Sequence, residues 1–253
     1  MLKLSYRLAD LVVAVSEGQA MWLAATGCVP ASKLVVIRSS RNLVSLHDIA
    51  LAGRSREPLR LATYGRYCEQ KGFEIAIEAM RRLPTGTATL TMAGYGPLEQ
   101  KLRTACASVP DMQVLGPIGN LRDFLASHHA VVVPSRWEAF GIVALEAKSA
   151  GRPVIVSGID GLIEQVDPTF GITIAPESPD ELMRAILALA ERDLEAMGRA
   201  ARLSVIDQFD VHIDRWRHLI SGIGDPQQVI SDLSGGTSRQ ANRVQRFVNL
   251  DAA

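Results

Sequence analysis

The chain has 253 residues, 47% of them hydrophobic, and 27 basic residues balance 27 acidic ones. That length holds one full α/β domain plus further segments and is short for two. A formal net charge of zero makes no electrostatic case for nucleic acid or an anionic membrane as the main partner, and no apolar run approaches the roughly 18 residues of a spanning helix.

Cys28, Cys68 and Cys106 are odd in number, scattered, and lack metal-ligand or redox spacing. Reduced thiols in a cytoplasmic protein are the expectation. The first residues carry no apolar core of a signal peptide, and the sequence is silent on peripheral membrane contact.

Leu2–Ala9 reads as a short helix, and Asp10–Val15 as a strand leading to Ser16, a capping residue for a helix over Glu17–Thr26. Lys33–Ile37 is the next expected strand. Residues 42–58 are mixed, charged and without period, which suits a linker. From Leu59 a regular alternation begins. Leu61–Tyr64 is a strand ending at Gly65-Arg66, followed by a helix over Gly72–Leu83 with Ile75, Ala76, Ala79 and Met80 on one face. Thr89–Ala93 is a strand ending at Gly94-Tyr95-Gly96-Pro97, Leu98–Ser108 a helix, Gln113–Leu115 a strand ending at Gly116, and Leu121–Ser127 a short helix. Strand, glycine loop and helix repeat in the manner of a doubly wound parallel sheet.

Val131–Glu164 is the densest stretch. Val131-Val132-Val133 has the β-branched run of a buried parallel strand, stopped by Pro134-Ser135. A helix follows over Ile142–Ser149, with Ile142, Leu145 and Ala150 spaced for one buried face, and Gly151 and Pro153 close it before the strand Val154–Val156. A helical turn near Glu164, a strand at Gly171–Ile174, helices over Asp180–Ala190 and Leu194–Gln208, and one over Asp210–Ile220 complete the alternation. Beyond Gly222 the polar composition predicts partial disorder, with a weak helix over Arg239–Leu250.

Few residues in this pattern carry chemistry. Glu138 lies before the helix and Glu146 on its second turn. On one continuous helix that spacing of eight would separate them by about 12 Å. With Glu138 in a loop, both can border one cleft at the carboxyl ends of the strands. Between them, the amides of Phe140, Gly141 and Ile142 open a helix, a natural seat for a phosphate. Arg66 offers a planar fork and Lys71 a compact charge to a diphosphate, although a basic pair after a strand is by itself most often a solvated loop. Gly94 and Gly96 lack the third glycine of a dinucleotide fingerprint, because Glu99 stands there, which disfavours a nicotinamide-dependent dehydrogenase. His128 and His129 are expected to cap a helix or face solvent. The histidines have no metal-ligand spacing, and no Asp-x-Asp pair occurs.

The run E-A-F-G-I-V-A-L-E at Glu138–Glu146 resembles the E-x7-E signature of retaining, sugar-nucleotide-dependent glycosyltransferases of family 4, which have the GT-B architecture of two Rossmann-like domains. P-S-R-W before it and A-x-x-x-G-R-P-V-I and D-G-L-I-E after it extend the resemblance, as does G-R-Y-C-E-Q-K-G at Gly65–Gly72. The resemblance implies that residues 59–205 form the donor-binding Rossmann-like domain, that 1–41 are the closing part of an acceptor domain of which roughly 150 further residues are missing, and that 206–222 form a closing helix ahead of a polar tail, 223–253. Where relatives have an Asn-Gly turn followed by Val-Asp, this chain has Arg38-Ser39-Ser40-Arg41-Asn42.

By the same resemblance the donor is a nucleoside diphosphate sugar. Arg66 and Lys71 hold its diphosphate, Glu138 stands near the reacting sugar, and Glu146 accepts from the ribose hydroxyls. Gly94, Gly96, Gly116, Ala139, Phe140, Gly141 and Ile142 line the same pocket; Gly161 and Glu164 match a neighbouring loop. No metal or other cofactor is expected, and transfer proceeds with retention. Because only part of an acceptor domain is present, a separate acceptor-domain chain is a candidate partner. A nucleotide-sugar-binding module without turnover and a sugar-nucleotide epimerase are the competing readings.

Overall fold

The computed structural model describes Tyr6, residues 8–53 and residues 58–222. It falls into two compact units, one of residues up to Ser39 together with those from Asp210 on, the other Ser40–Phe209.

In the first unit, β1 (Val12–Ala14) pairs in parallel with β2 (Leu34–Val36). A parallel pair needs a crossover, and α1 (Glu17–Ala25) supplies it. Ser16 caps α1 as expected, its hydroxyl accepting from the Gln19 amide at 3.0 Å. The helix expected over Leu2–Ala9 falls largely outside the described residues, and that over Arg239–Leu250 wholly so.

The second unit holds the functional stretch. Its strands are β3 (Leu59–Arg66), β4 (Ala88–Tyr95), β5 (Met112–Leu115), β6 (Ala130–Val133), β7 (Val154–Ser157) and β8 (Gly171–Ile174). They form one six-stranded sheet in the order β5-β4-β3-β6-β7-β8, with every pairing parallel. This is the Rossmann order, and the doubly wound α/β fold predicted from the sequence. β3 and β4 run on through Gly65-Arg66 and Gly94-Tyr95, which the sequence reading placed at their ends, because Gly65 registers with Gly94 and Arg66 with Tyr95.

The helices of this unit are α2 (Phe73–Arg82), α3 (Glu99–Cys106), α4 (Leu121–Ala126), α5 (Ile142–Ser149), α6 (Asp160–Ile163), α7 (Pro179–Ala190) and α8 (Leu194–Leu203). Right-handed crossovers running outward in both directions from β3 and β6 put the connecting helices on opposite faces. A main core joins Leu61, Leu90, Met92 and Val132 of the strands to Phe73, Ile77 and Met80 of α2 and Leu182, Ile186 and Leu189 of α7. Within residues 42–58, Leu43, Leu46, Ile49 and Ala52 are buried.

Three expectations need correction. α5 was expected to bury one face, but Ala144–Ser149 are all buried while Ile142 is only half-buried. It is enclosed by β6, β7, α8 and the turn Val44–Leu46, so even Glu146, Lys148 and Ser149 are inside. Of the alternatives expected for His128 and His129, solvent exposure fails, since both are buried, whereas capping holds for His128 at the end of α4. The His128 ring nitrogen meets the Phe124 carbonyl at 2.6 Å, and His129 Nδ1 accepts the Arg60 amide at 3.1 Å. The expected helix Leu194–Gln208 ends at Leu203, and the last helix, α9 (Gln208–Ser221), starts five residues later. Within the first unit, Leu219 and Trp216 of α9 pack with Val35 and Ile37.

Candidate functional site

The crevice of an open α/β sheet lies where neighbouring strands send their connections in opposite directions. Here that point is between β3, which pairs outward with β4, and β6, which pairs outward with β7. The segments leaving these two strands are tied together. Arg66, the last residue of β3, is exposed, and its side chain makes no hydrogen bond or ion pair among the described residues. Lys71 ends the turn Glu69–Lys71. Gly72 follows with φ of +59°, and a Cβ there would stand 2.1 Å from the Pro134 carbonyl oxygen. Only glycine lets this turn lie against the loop after β6. Three hydrogen bonds fix the approach: the Arg136 amide to the Gln70 carbonyl at 2.8 Å, Gln70 Nε2 to the Trp137 carbonyl at 3.0 Å, and an Arg136 guanidinium nitrogen to the Glu69 carbonyl at 2.7 Å.

This clamp brings Lys71 onto Glu138, with Nζ donating to Oε2 in a short ion pair. The Glu138 backbone is held from the other side by α6. Its amide donates to Asp160 Oδ2 at 3.2 Å and its carbonyl accepts the Gly161 amide at 3.2 Å. A Cβ on Gly161 would come within 2.2 Å of the Ala139 carbonyl oxygen. Gln165 completes the cradle: its side-chain nitrogen donates to the carbonyls of Phe140 and Gly141, the latter at 3.1 Å. Gly141, at φ +93°, then opens α5. With the carbonyls of the turn occupied, the amides of Phe140, Gly141 and Ile142 have no acceptor among the described residues. They add the positive end of the helix dipole to the ammonium of Lys71. Such a grouping suits an anion.

Glu146 has a different setting. Its side chain is only 6% exposed, and both oxygens are engaged: Tyr64 Oη donates to Oε2 at 3.0 Å and Arg41 donates to Oε1 at 2.6 Å. Burial raises the carboxyl above the usual glutamate range, and the two donors offset this only in part. Arg41, 59% exposed, spends much of its charge on water. Burial also lifts the Tyr64 phenol well above the usual tyrosine range, with the neighbouring carboxylate adding to the effect. Tyr64 therefore stays a donor.

Gly94, Gly96 and Gly116 stand at the tips of β4 and β5 on the same edge, where the Gly94 amide donates to the Gly116 carbonyl at 3.1 Å. The sequence-selected residues thus sort into a cluster of Lys71, Glu138 and the turn Ala139–Ile142; an unengaged Arg66; a glycine edge; and Glu146 within α5. Sequence reasoning missed Tyr64, Asp160 and Gln165 as partners, and it flagged Arg41 only as a departure from a family turn. Among the described residues, no group of three or more His, Cys, Asp or Glu is placed to hold a metal ion.

The sequence profile of a family described as glycosyl transferases group 1 matches residues 58–192, more than half of the chain. The chain belongs to this family. Among group 1 relatives, the amylovoran biosynthesis glycosyltransferase AmsK of Erwinia amylovora is 30% identical over 220 residues, covering 81% of this chain and 54% of its own length. Glycogen synthase of Mycobacterium tuberculosis is 35% identical over 164 residues, covering 60% of this chain and 39% of its own. The chain thus spans about half the length, or less, of these two relatives. Anabaena HepE, solved in complex with UDP and glucose, superposes with a TM-score of 0.76 at 20% identity, over 87% of this chain and 65% of HepE. That likeness shows the fold.

Proposed function

We propose that the chain supplies the donor-binding half of a retaining GT-B glycosyltransferase of the family 4 type, one that moves a sugar from a nucleoside diphosphate sugar to an acceptor hydroxyl. The observation that carries this reading is the Lys71–Glu138 pair set against the unengaged opening amides of α5 at the switch point of the sheet. The sequence family and the nucleotide in HepE support it, and UDP is the first nucleotide to try.

Chemically, the demand is to stabilise a departing diphosphate while positive charge builds on the sugar. Arg66, Lys71 and the amides of Phe140, Gly141 and Ile142 neutralise the leaving oxygens, each such donor being typically worth about 3 kcal/mol in the transition state. Before donor binds, Lys71 is occupied by Glu138. An arriving diphosphate competes for the ammonium, and the carboxylate so released sits beside the sugar, where it favours the developing charge. Glu146, held in α5, accepts the ribose hydroxyls. Gly94, Gly96 and Gly116 let backbone approach the nucleotide. The acceptor hydroxyl attacks from the face the diphosphate leaves, and the leaving phosphate takes its proton, so the anomeric configuration is kept. The acceptor site is supplied by further residues of an acceptor domain, in the same protein or a separate chain. The free thiols of Cys28, Cys68 and Cys106 agree with a reducing, cytoplasmic setting. No helix among the described residues is long and apolar enough to cross a membrane.

The test is the anomeric configuration of the product. The chain, supplied with an acceptor domain, is incubated with α-linked nucleotide sugars and the product is read by proton NMR. An α-linked product is expected. A β-linked product would remove retention, and no turnover of any donor would remove the transferase reading.

A further inference from the structure

The setting of Glu146 goes beyond what an E-x7-E pattern assigns. Its two partners come from outside the helix, Tyr64 from β3, 82 residues back, and Arg41 from the segment ahead of β3, 105 residues back. They differ in kind. Tyr64 is a buried side chain, packed edge-on against Phe124 at 5.5 Å between ring centroids, and Phe124 in turn lies 4.6 Å from the His128 ring. Its hydroxyl therefore has one place to be. Arg41 reaches the opposite oxygen from a largely exposed position, and it belongs to the stretch Arg38–Asn42 that replaces the family's Asn-Gly turn.

A carboxylate has about four acceptor sites, two on each oxygen. Tyr64 and Arg41 take one on each, which leaves one on each. Two acceptors on neighbouring oxygens match a vicinal diol, whose hydroxyls present two donors side by side. Unsupported, a carboxylate this deeply buried would favour its neutral form and would lose an acceptor to its own proton. We propose that Tyr64 and Arg41 are positioning residues, which hold Glu146 ionised and fixed in orientation as the acceptor for the vicinal hydroxyls of the donor's ribose. The inference rests on the assignment of Glu146 to the ribose given above, and it adds two residues to the specificity of that site.

The test compares each protein's affinity for a ribonucleotide and its dideoxy counterpart. The 253-residue chain is titrated calorimetrically with the tightest-binding of UDP, GDP and ADP, then with the 2′,3′-dideoxy form of the same nucleotide. Wild type prefers the ribonucleotide. Tyr64→Phe shrinks that preference about tenfold, the effect of one hydrogen bond to a charged group; Arg41→Met, which removes a largely exposed guanidinium, shrinks it about threefold, and Arg41→Lys keeps most of it. General loosening of the fold would weaken both ligands together and leave their ratio unchanged. An unchanged ratio in both variants, with a clear preference in wild type, overturns the inference and leaves Glu146 on the ribose. A wild type that shows no preference, or binds none of the three nucleotides, removes the ribose assignment itself, and the inference with it.

Discussion

Glu138 and Glu146 share a residue type, a motif and one edge of the sheet, yet the loop before α5 and the second turn of α5 treat them in opposite ways. Glu138 hangs from a backbone pinned by Asp160, Gly161 and Gln165, while its carboxylate meets a single exchangeable partner, Lys71. Glu146 rides on a helix buried nearly all round, and its carboxylate is itself fixed, by Tyr64 and Arg41. In the first the scaffold holds the main chain and frees the side chain. In the second it holds the side chain. The first arrangement suits a group whose partner changes during a reaction, the second a group that recognises a part of the ligand that does not react.

The largest expected effect breaks the first half of this contrast. Glu138→Gln should lower transfer by about 10²–10³, the cost of one lost electrostatic contact in a transition state, while nucleotide affinity changes little. Initial rates and calorimetry together check this, and a variant that loses affinity in place of rate would erase the difference between the two glutamates. Next comes the pinned backbone. Gly161→Ala puts a Cβ against the Ala139 carbonyl and should cost about 3 kcal/mol of stability, read by denaturant unfolding; a change under about 0.5 kcal/mol would show that α6 does not hold the loop. Glu146→Ala should then weaken nucleotide binding about a hundredfold, the worth of two charge-assisted hydrogen bonds, without a separate loss of rate once donor is saturating.

The smallest effect is in pH dependence, and its sign is specific. Burial raises the Glu146 carboxyl above the ordinary glutamate range, so ionising it is harder in the folded chain than in the unfolded one, with Tyr64 and Arg41 offsetting part of that cost. Its contribution to stability is complete below that range and is lost as pH rises through the raised value. Nucleotide binding through the ionised carboxylate runs the other way and weakens as pH falls through the same value. Unfolding and calorimetry of wild type against Glu146→Gln across this range should therefore diverge in opposite senses, and parallel curves for the two proteins would contradict the buried setting.

The contrast also explains what was legible in the sequence. The helix Ile142–Ser149 and the strand Gly171–Ile174 stand where their apolar runs and glycine or proline stops place them, because their limits are set by local chemistry. Glu138 and Lys71 were readable as charged residues in loops after strands, which parallel topology gathers on one edge. The surroundings of Glu146 were not. Tyr64 sits in an apolar strand and looks like core, and Arg41 lies 105 residues from its partner. Nothing local says that a hydroxyl and a guanidinium meet on one carboxylate. The burial of α5 on all sides was hidden for the same reason, since its neighbours come from β6, β7, α8 and the turn at Val44–Leu46. His128 and His129 read as helix caps or solvent-facing because a short helix ends beside them; His128 does cap it, but tertiary contacts bury both.

The central claim is that Arg66, Lys71 and the opening of α5 form a seat for a diphosphate. Calorimetric titration of one protein with a nucleoside, its monophosphate and its diphosphate tests it most directly, repeated on Arg66→Ala and Lys71→Ala. Affinity should climb with each phosphate in wild type, by about tenfold or more for the last, and the climb should flatten in both variants while nucleoside affinity holds. Equal affinity of the wild-type chain for nucleoside and nucleoside diphosphate would contradict the account.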